Sequence, residues 1–157
     1  MLGKLNDEAV ELLLTKQVVG RLGCHANGET YVVPVNYVYK ANAVYAHSSY
    51  GKKIEMMRKT PQVCFEVDDI RTIFSWQSII AWGRYEELTG EAERQQAMQL
   101  IRHTLMPLTT DAAGHPSHGI SDNEHEIDTK IDLIVYRINL TTKTGRFEDG
   151  NMASMAV

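Results

Sequence analysis

The densest run of chemically useful residues is His47-Ser48-Ser49-Tyr50-Gly51-Lys52-Lys53, where a strand-like segment, Val44 to His47, gives way to a helical pattern. A helix start offers unsatisfied backbone N–H groups and a positive dipole end, and two hydroxyls with two ammonium groups complete a setting that suits a phosphate. His47 adds a ring that donates hydrogen bonds and titrates near neutrality. The same stretch also reads as a helix capped by Ser48 or Ser49, with solubilising lysines and with His47 closing a strand at the surface. Spacing argues against two nucleotide-binding classes. No GxxxxGK[ST] is present, and Gly20-Arg21-Leu22-Gly23 falls short of GxGxxG.

Two further segments could face a ligand. Val35-Asn36-Tyr37 follows Pro34, and Trp76-Gln77-Ser78-Ile79-Ile80 forms a second apolar wall; sparse polar groups on such walls suit a flat, mostly apolar ring system. Pro34 cannot donate to a ladder, so its strand must be an edge, bulged, or open to something other than a strand. His115, His118 and His125 stand among Asp111, Asp122, Glu124 and Glu126 at spacings that match no standard metal site. No metal is expected there, and segment 106–127 reads as an irregular loop or a lid. Arg84, Arg137 and Arg146 suit either an anionic substrate or surface ion pairs.

The elements that must position these groups are mostly strands. Asn6 caps a helix from Asp7 to about Thr15, with Leu5 placed to pack on Val10. Val18–Cys24 and Thr30–Tyr39 flank Asn27-Gly28, the pair a type I′ hairpin favours. After a turn at residues 40–42, the short strand Val44–His47 leads to a helix over 52–60, ended by Pro61. Val63, Phe65 and Val67 alternate with polar neighbours, and a turn is expected at Asp68-Asp69. A long strand or strand pair follows from Ile73 to Leu88, with a bulge at Gly83. Residues 91–105 form an amphipathic helix, with Ala97, Leu100, Ile101 and Leu105 on one face, and 130–140 a strand apolar on both faces. Six or seven mainly antiparallel strands with three helices, and no strand–helix alternation, predict a closed or partly closed barrel.

With 43% hydrophobic and 23% charged residues, 157 residues build one core, so residues 1–157 are expected to be a single domain. A formal charge of -4 offers no general attraction to nucleic acid or anionic membranes, so neither is an expected partner. The start turns acidic before any leader-length apolar run, and no apolar stretch is of spanning length; the cytoplasm is the expected location. Cys24 and Cys64 lack CxxC spacing and are expected to be free thiols.

Four segments together resemble a known family. Gly20–Cys24, Tyr31–Tyr37, Val44–Lys53 and Pro61–Val67 occur in the order found in the pyridoxamine 5′-phosphate oxidase-like FMN-binding split barrels, and most resemble the group containing the nitroimidazole-resistance proteins. The match continues to about Leu105 and resumes at Thr144-Gly145-Arg146. The resemblance implies a mainly β fold with flanking helices, a six-stranded antiparallel split β-barrel, and a homodimer holding FMN at the subunit interface. It implies that Val35, Asn36 and Tyr37 lie along the isoalloxazine. It places His47, Ser48, Ser49, Lys52 and Lys53 around the phosphate, with Gln77, Ser78 and Ile79 beside the ring or ribityl chain. The implied activity is an FMN-dependent oxidoreductase passing electrons from reduced flavin, supplied by NAD(P)H or another reductant, to a small acceptor such as a nitroaromatic or a quinone. Pyridoxamine phosphate itself is not expected as substrate, since the family's basic C-terminal segment is not found after Leu140. The alternative is a flavin- or haem-binding module without turnover. Catalytic residues are not indicated, because in flavin proteins the cofactor carries the redox step.

Overall fold

The computed structural model describes residues 1–108 and 133–150. Helix α1, Asp7–Lys16, starts as its sequence dictates: Ala9 N–H donates to Asn6 Oδ1 at 2.9 Å, Asp7 and Glu8 occupy the first turn and Lys16 the last. Strands β2, Val19–Ala26, and β3, Glu29–Asn36, form the hairpin, and Asn27 (φ 53°) with Gly28 (φ 75°) provides the two positive φ angles of a type I′ turn. A second tight turn, at Ala41 and Asn42, joins β4, Val38–Lys40, to β5, Ala43–Ser49. Asn42 Nδ2 ties this turn to the Leu140 carbonyl at 2.9 Å.

Helix α2, Lys52–Lys59, leads into β6, Gln62–Thr72, and β7, Ser75–Glu87. The turn expected at Asp68-Asp69 is absent: β6 runs through it, pairing Asp68 with Ser78 and Asp69 with Gln77, and the chain reverses at 73–74. Arg21, 3.2 Å from Asp68, supplies the charge balance that lets an acidic pair stay in a strand. Helix α3, Glu91–Leu105, precedes a 3-10 turn at Met106–Leu108. The last strand, β8, runs Leu133–Asp149, well past the expected end at Leu140. Its register against β7 shifts between Trp82 and Gly83, so the bulge expected at Gly83 is present, with Thr141 as the extra residue on β8. The three-residue β1, Leu2–Lys4, adds to the end of β8.

The antiparallel sheet has the order β3-β2-β6-β7-β8-β5-β4, six long strands with the short β1 and β4. One apolar cluster fills the barrel interior, with Tyr37, Phe65, Ile79, Tyr136 and Ile138 packed beneath α1 and α2. A second lies between α3 and the outer side of β8, where Leu133 and Val135 meet Met98 and Ile101. The double apolar face of residues 133–140 therefore serves two cores. No helix among the described residues is long and apolar enough to cross a membrane.

A polar staple ties α1 to the far strands. Lys143 on β8 pairs with Glu11 and donates to Asn42 Oδ1 at 2.7 Å, while Tyr39 Oη donates to Glu11 Oε2 at 2.7 Å. Burial works to raise the Glu11 pKa, but the bonds from Lys143 and Tyr39 win and hold it below the ordinary value. Lys143→Met is expected to lower stability by about 1–2 kcal/mol. Because a depressed carboxyl stabilises only while ionised, the gap between Lys143→Met and the parent should be full near neutrality. It should shrink as pH falls through the folded-state pKa of Glu11, which urea unfolding at several pH values would record.

Candidate functional site

The strand-to-helix junction is built from the end of β5 and the start of α2. Gly51 is the N-cap, with extended backbone and no side-chain cap bond. The Ser48 or Ser49 cap anticipated from the sequence does not form. Pairing of Ser48 with Ile134 and Ser49 with Leu133 keeps both residues in β5, and Ser48 Oγ donates to the Ser49 carbonyl at 2.7 Å. The N–H groups of the first turn of α2 are left without side-chain capping, as an anion site requires. His47, half-buried on β5, lies opposite Val135 of β8.

The two lysines are not equivalent. Lys52 is exposed, pairs with Glu29, and holds its ammonium 5.0 Å from the Tyr31 ring centroid; the Glu29 bond raises its pKa. Lys53 is half-buried and pairs with no carboxylate among the described residues. Burial pushes its ammonium below the ordinary lysine value, partly offset by the neighbouring Cys24 thiol. A partly desolvated cation without a counter-ion is costly, and a ligand anion would relieve that cost.

Beside this junction runs the edge of β3, which among the described residues is the terminal strand of the sheet and pairs with nothing on that side. In a two-residue hairpin the pair closing the turn, here Ala26 and Glu29, is hydrogen-bonded, and pairs alternate from there. Thr30, Val32, Pro34 and Asn36 therefore point their backbone polar groups away from β2, and Pro34 sits where a missing N–H breaks no ladder bond. Of the edge, bulged or open positions that Pro34 allowed, the edge is the one observed. From Tyr31, beneath Lys52, to Asn36 is about 17 Å of extended strand.

The outer face of β3, β2, β6 and β7 completes the picture. Cross-strand rows run Pro34–Arg21–Glu66–Ile80 and Val32–Gly23–Cys64–Trp82. Val32 is 63% exposed and Trp82 44%, so this face leaves large apolar groups in water. A groove of about 460 Å3 follows it, lined by Val32, Cys64 and Trp82 with Arg21 and Glu66 at its side. Composition alone did not reveal this face; the alternation of Cys64, Glu66 and Trp82 with core residues was the available signal. Both cysteines are free, and burial pushes both thiols up.

The remaining anticipated residues are spread along the sheet. Val35 is half-buried against the core, and Asn36 is exposed on the outer face. Tyr37 is fully buried, donating its hydroxyl to the Leu14 carbonyl at 2.8 Å and meeting Phe65 edge-on, so only its backbone can face a ligand. Ile79 is likewise fully buried. Ser78 lies half-buried on the outer face, and Gln77 opens into a separate cleft of about 370 Å3 between Leu5, Arg71 and Phe147. His47 is level with Leu88 through Val135, and Ser78 lies ten positions back along β7, roughly 30 Å of extended chain. Gln77 and Ser78 therefore stand further along β7 than the level of the junction. Arg137 is taken by Glu86 through two bonds of 2.8 and 3.0 Å, in keeping with the ion-pair reading. The His-rich stretch with His115, His118 and His125 lies outside the described residues.

Comparison with known proteins follows the fold. A family model described as pyridoxamine 5′-phosphate oxidase matches residues 6–147. An uncharacterized protein of Rhizobium meliloti is 34% identical over 112 residues, 64% of this chain and 74% of its own length. Among solved structures, an FAD-binding protein from Mesorhizobium loti is 29% identical with a TM-score of 0.75, covering 95% of this chain and 99% of that one. A 5-nitroimidazole antibiotic resistance protein from Bacteroides thetaiotaomicron shares the fold at 20% identity and TM-score 0.70, covering 94% and 87%. A flavocytochrome from Azotobacter vinelandii shares it at 18% identity and TM-score 0.67, covering 97% and 74%.

Proposed function

The chain belongs to the pyridoxamine 5′-phosphate oxidase family, and on that premise we propose that it binds FMN between two copies of itself and passes electrons from the reduced flavin to a small acceptor. The observation that carries this reading is Lys53, a half-buried ammonium without a carboxylate partner among the described residues, set in the first turn of α2 beside the free edge of β3. A phosphate there would meet Lys53 and the N–H groups of α2, while the edge groups of Val32 to Asn36 run along the rest of the nucleotide. The length of β3 from Tyr31 to Asn36, about 17 Å, suits an extended mononucleotide.

Distance supports a second copy. Asn36 and Ser78 are three inter-strand steps apart, about 14 Å, and the phosphate junction lies at the other end of the long strands. A partner seated on the Val32–Trp82 face buries the exposed apolar groups and brings its own Ser78 and Gln77 toward the ligand of the first chain.

Bound flavin supplies the redox chemistry; the chain holds the phosphate, lines the ring with apolar surface and limits water. A protein of the same fold is named for 5-nitroimidazole resistance, which makes a nitroaromatic the acceptor to try first, with quinones as the chemically related class. The FMN-loaded protein is expected to oxidise NAD(P)H in the presence of a nitroaromatic or quinone, at a rate proportional to flavin content. Absence of turnover with every donor and acceptor pair would leave a flavin-binding module and overturn the oxidoreductase reading.

A further inference from the structure

On the outer face of the sheet a polar chain crosses three strands. Arg21 on β2 stands 3.2 Å from Asp68 and 3.6 Å from Glu66 on β6, and Ser78 on β7 donates to Glu66 Oε1 at 3.1 Å. An ionised carboxylate only accepts, and a serine hydroxyl has one hydrogen. With that hydrogen committed to Glu66, Ser78 can offer a third group nothing but lone pairs. Both carboxylates are largely covered, with side-chain exposures of 25% for Glu66 and 22% for Asp68, and Arg21 holds them side by side.

Building on the flavin reading, we propose that Glu66, oriented by Arg21, is a positioning residue that fixes Ser78 as an obligate hydrogen-bond acceptor, so that the flavin group recognised there is a donor. The donors an FMN molecule presents are its ribityl hydroxyls and its ring N–H; its carbonyls and phosphate oxygens are turned away by the same polarity. Specificity at this point belongs to the pair and not to Ser78 alone. Without Glu66 the hydroxyl rotates freely, donates as readily as it accepts, and discriminates neither kind of group.

The polarity depends on the charge of Glu66. Burial, then the neighbouring Asp68, raises its pKa, against the Ser78 bond and Arg21. Among the described residues, the charged or titratable groups around it are Arg21 from β2, Asp68 and the Cys64 thiol on β6, and Arg146 of β8 opposite Ser78 on the next strand. Protonated Glu66 can donate to Ser78 and reverse the bond, so flavin affinity should fall as pH drops through the raised pKa.

The test is a double-mutant cycle on FMN binding to the full chain, read by flavin fluorescence quenching. Ser78→Ala and Glu66→Ala are each expected to raise Kd about tenfold, and the double variant no further than either. Glu66→Gln keeps an acceptor carbonyl for Ser78 and should bind like the parent above the raised Glu66 pKa, but lose the weakening expected of the parent as pH falls through it. Single effects that multiply to about a hundredfold in the double variant would overturn the assignment. So would parent-like binding by Glu66→Ala, or an acid profile unchanged in Glu66→Gln; the latter variant carries the test if Glu66→Ala does not fold. A parent protein that takes up no flavin overturns the flavin reading and this one with it, whereas flavin binding with multiplying losses overturns only the role of Glu66.

Discussion

Lys53→Ala is expected to raise the FMN dissociation constant about 10- to 100-fold while leaving riboflavin binding within about twofold. The size follows from losing a charge-assisted hydrogen bond to phosphate, worth about 1.5–3 kcal/mol. Riboflavin lacks the phosphate and should not register the loss. Lys52→Ala should change either affinity by no more than about threefold, because its exposed ammonium already pairs with Glu29 above Tyr31. The pH dependence has a definite sign. Burial holds the Lys53 ammonium below the ordinary lysine value, so the charge is present below that lowered pKa and lost as pH rises through it. FMN affinity should therefore fade on the alkaline side earlier than an exposed lysine would allow, with riboflavin unaffected. Equal weakening of FMN and riboflavin by Lys53→Ala, measured by fluorescence titration, would remove Lys53 from the phosphate site.

Trp82→Glu is expected to break the proposed dimer and, with it, flavin binding. Trp82 stands in the row with Val32 and Cys64 and lines the apolar groove that the proposed partner covers. Large aromatic residues at the middle of an interface carry a disproportionate share of its energy, and an unpaired carboxylate placed there adds a desolvation penalty. The expected sedimentation mass halves relative to the parent, and flavin content falls in parallel because Ser78 and Gln77 no longer reach the neighbouring site. Leu12→Glu is the control: Leu12 is also a large exposed apolar residue, 66% exposed, but it lies on α1 away from this face, and its replacement should leave mass and flavin unchanged. A Trp82→Glu protein that keeps the parent mass and flavin would place the interface elsewhere.

What could be read from the sequence was what local chemistry determines. Asn27-Gly28 demanded positive φ at both turn positions, Pro34 demanded an edge, a bulge or an open side, and the apolar spacing of Ala97, Leu100, Ile101 and Leu105 demanded a covered helix face; the turn, the edge and the helix face, with Leu100 half-buried, are found. Gly83 marked the bulge because a Cβ there would stand 2.5 Å from the Asn139 carbonyl oxygen. The second half of β8 escaped because residues 141–146 carry hydroxyls and charges with no apolar alternation; pairing with β7 on one side and β1 on the other makes it a strand. Asp68-Asp69 looked like a turn because the charge that steadies it, Arg21, is distant in sequence.

The candidate site divides in the same way. The junction from Ser48 to Lys53 is contiguous, so its anion-binding character was visible; the difference between the lysines was not, since it arises from Glu29 across the fold. Tyr37 and Ile79 were placed beside the ring by motif, but strand parity turns their side chains into the core. The Glu66–Ser78 bond and the Trp82 face depend on register between β6 and β7, which a single sequence does not specify.

The most direct measurement is the visible absorption spectrum of the purified protein, followed by heat release of its chromophore, chromatographic identification and sedimentation of the native sample. A flavin spectrum, released FMN at one per chain, and a mass of two chains are the predicted result. A colourless monomer that fails to take up added FMN would contradict the account at its centre.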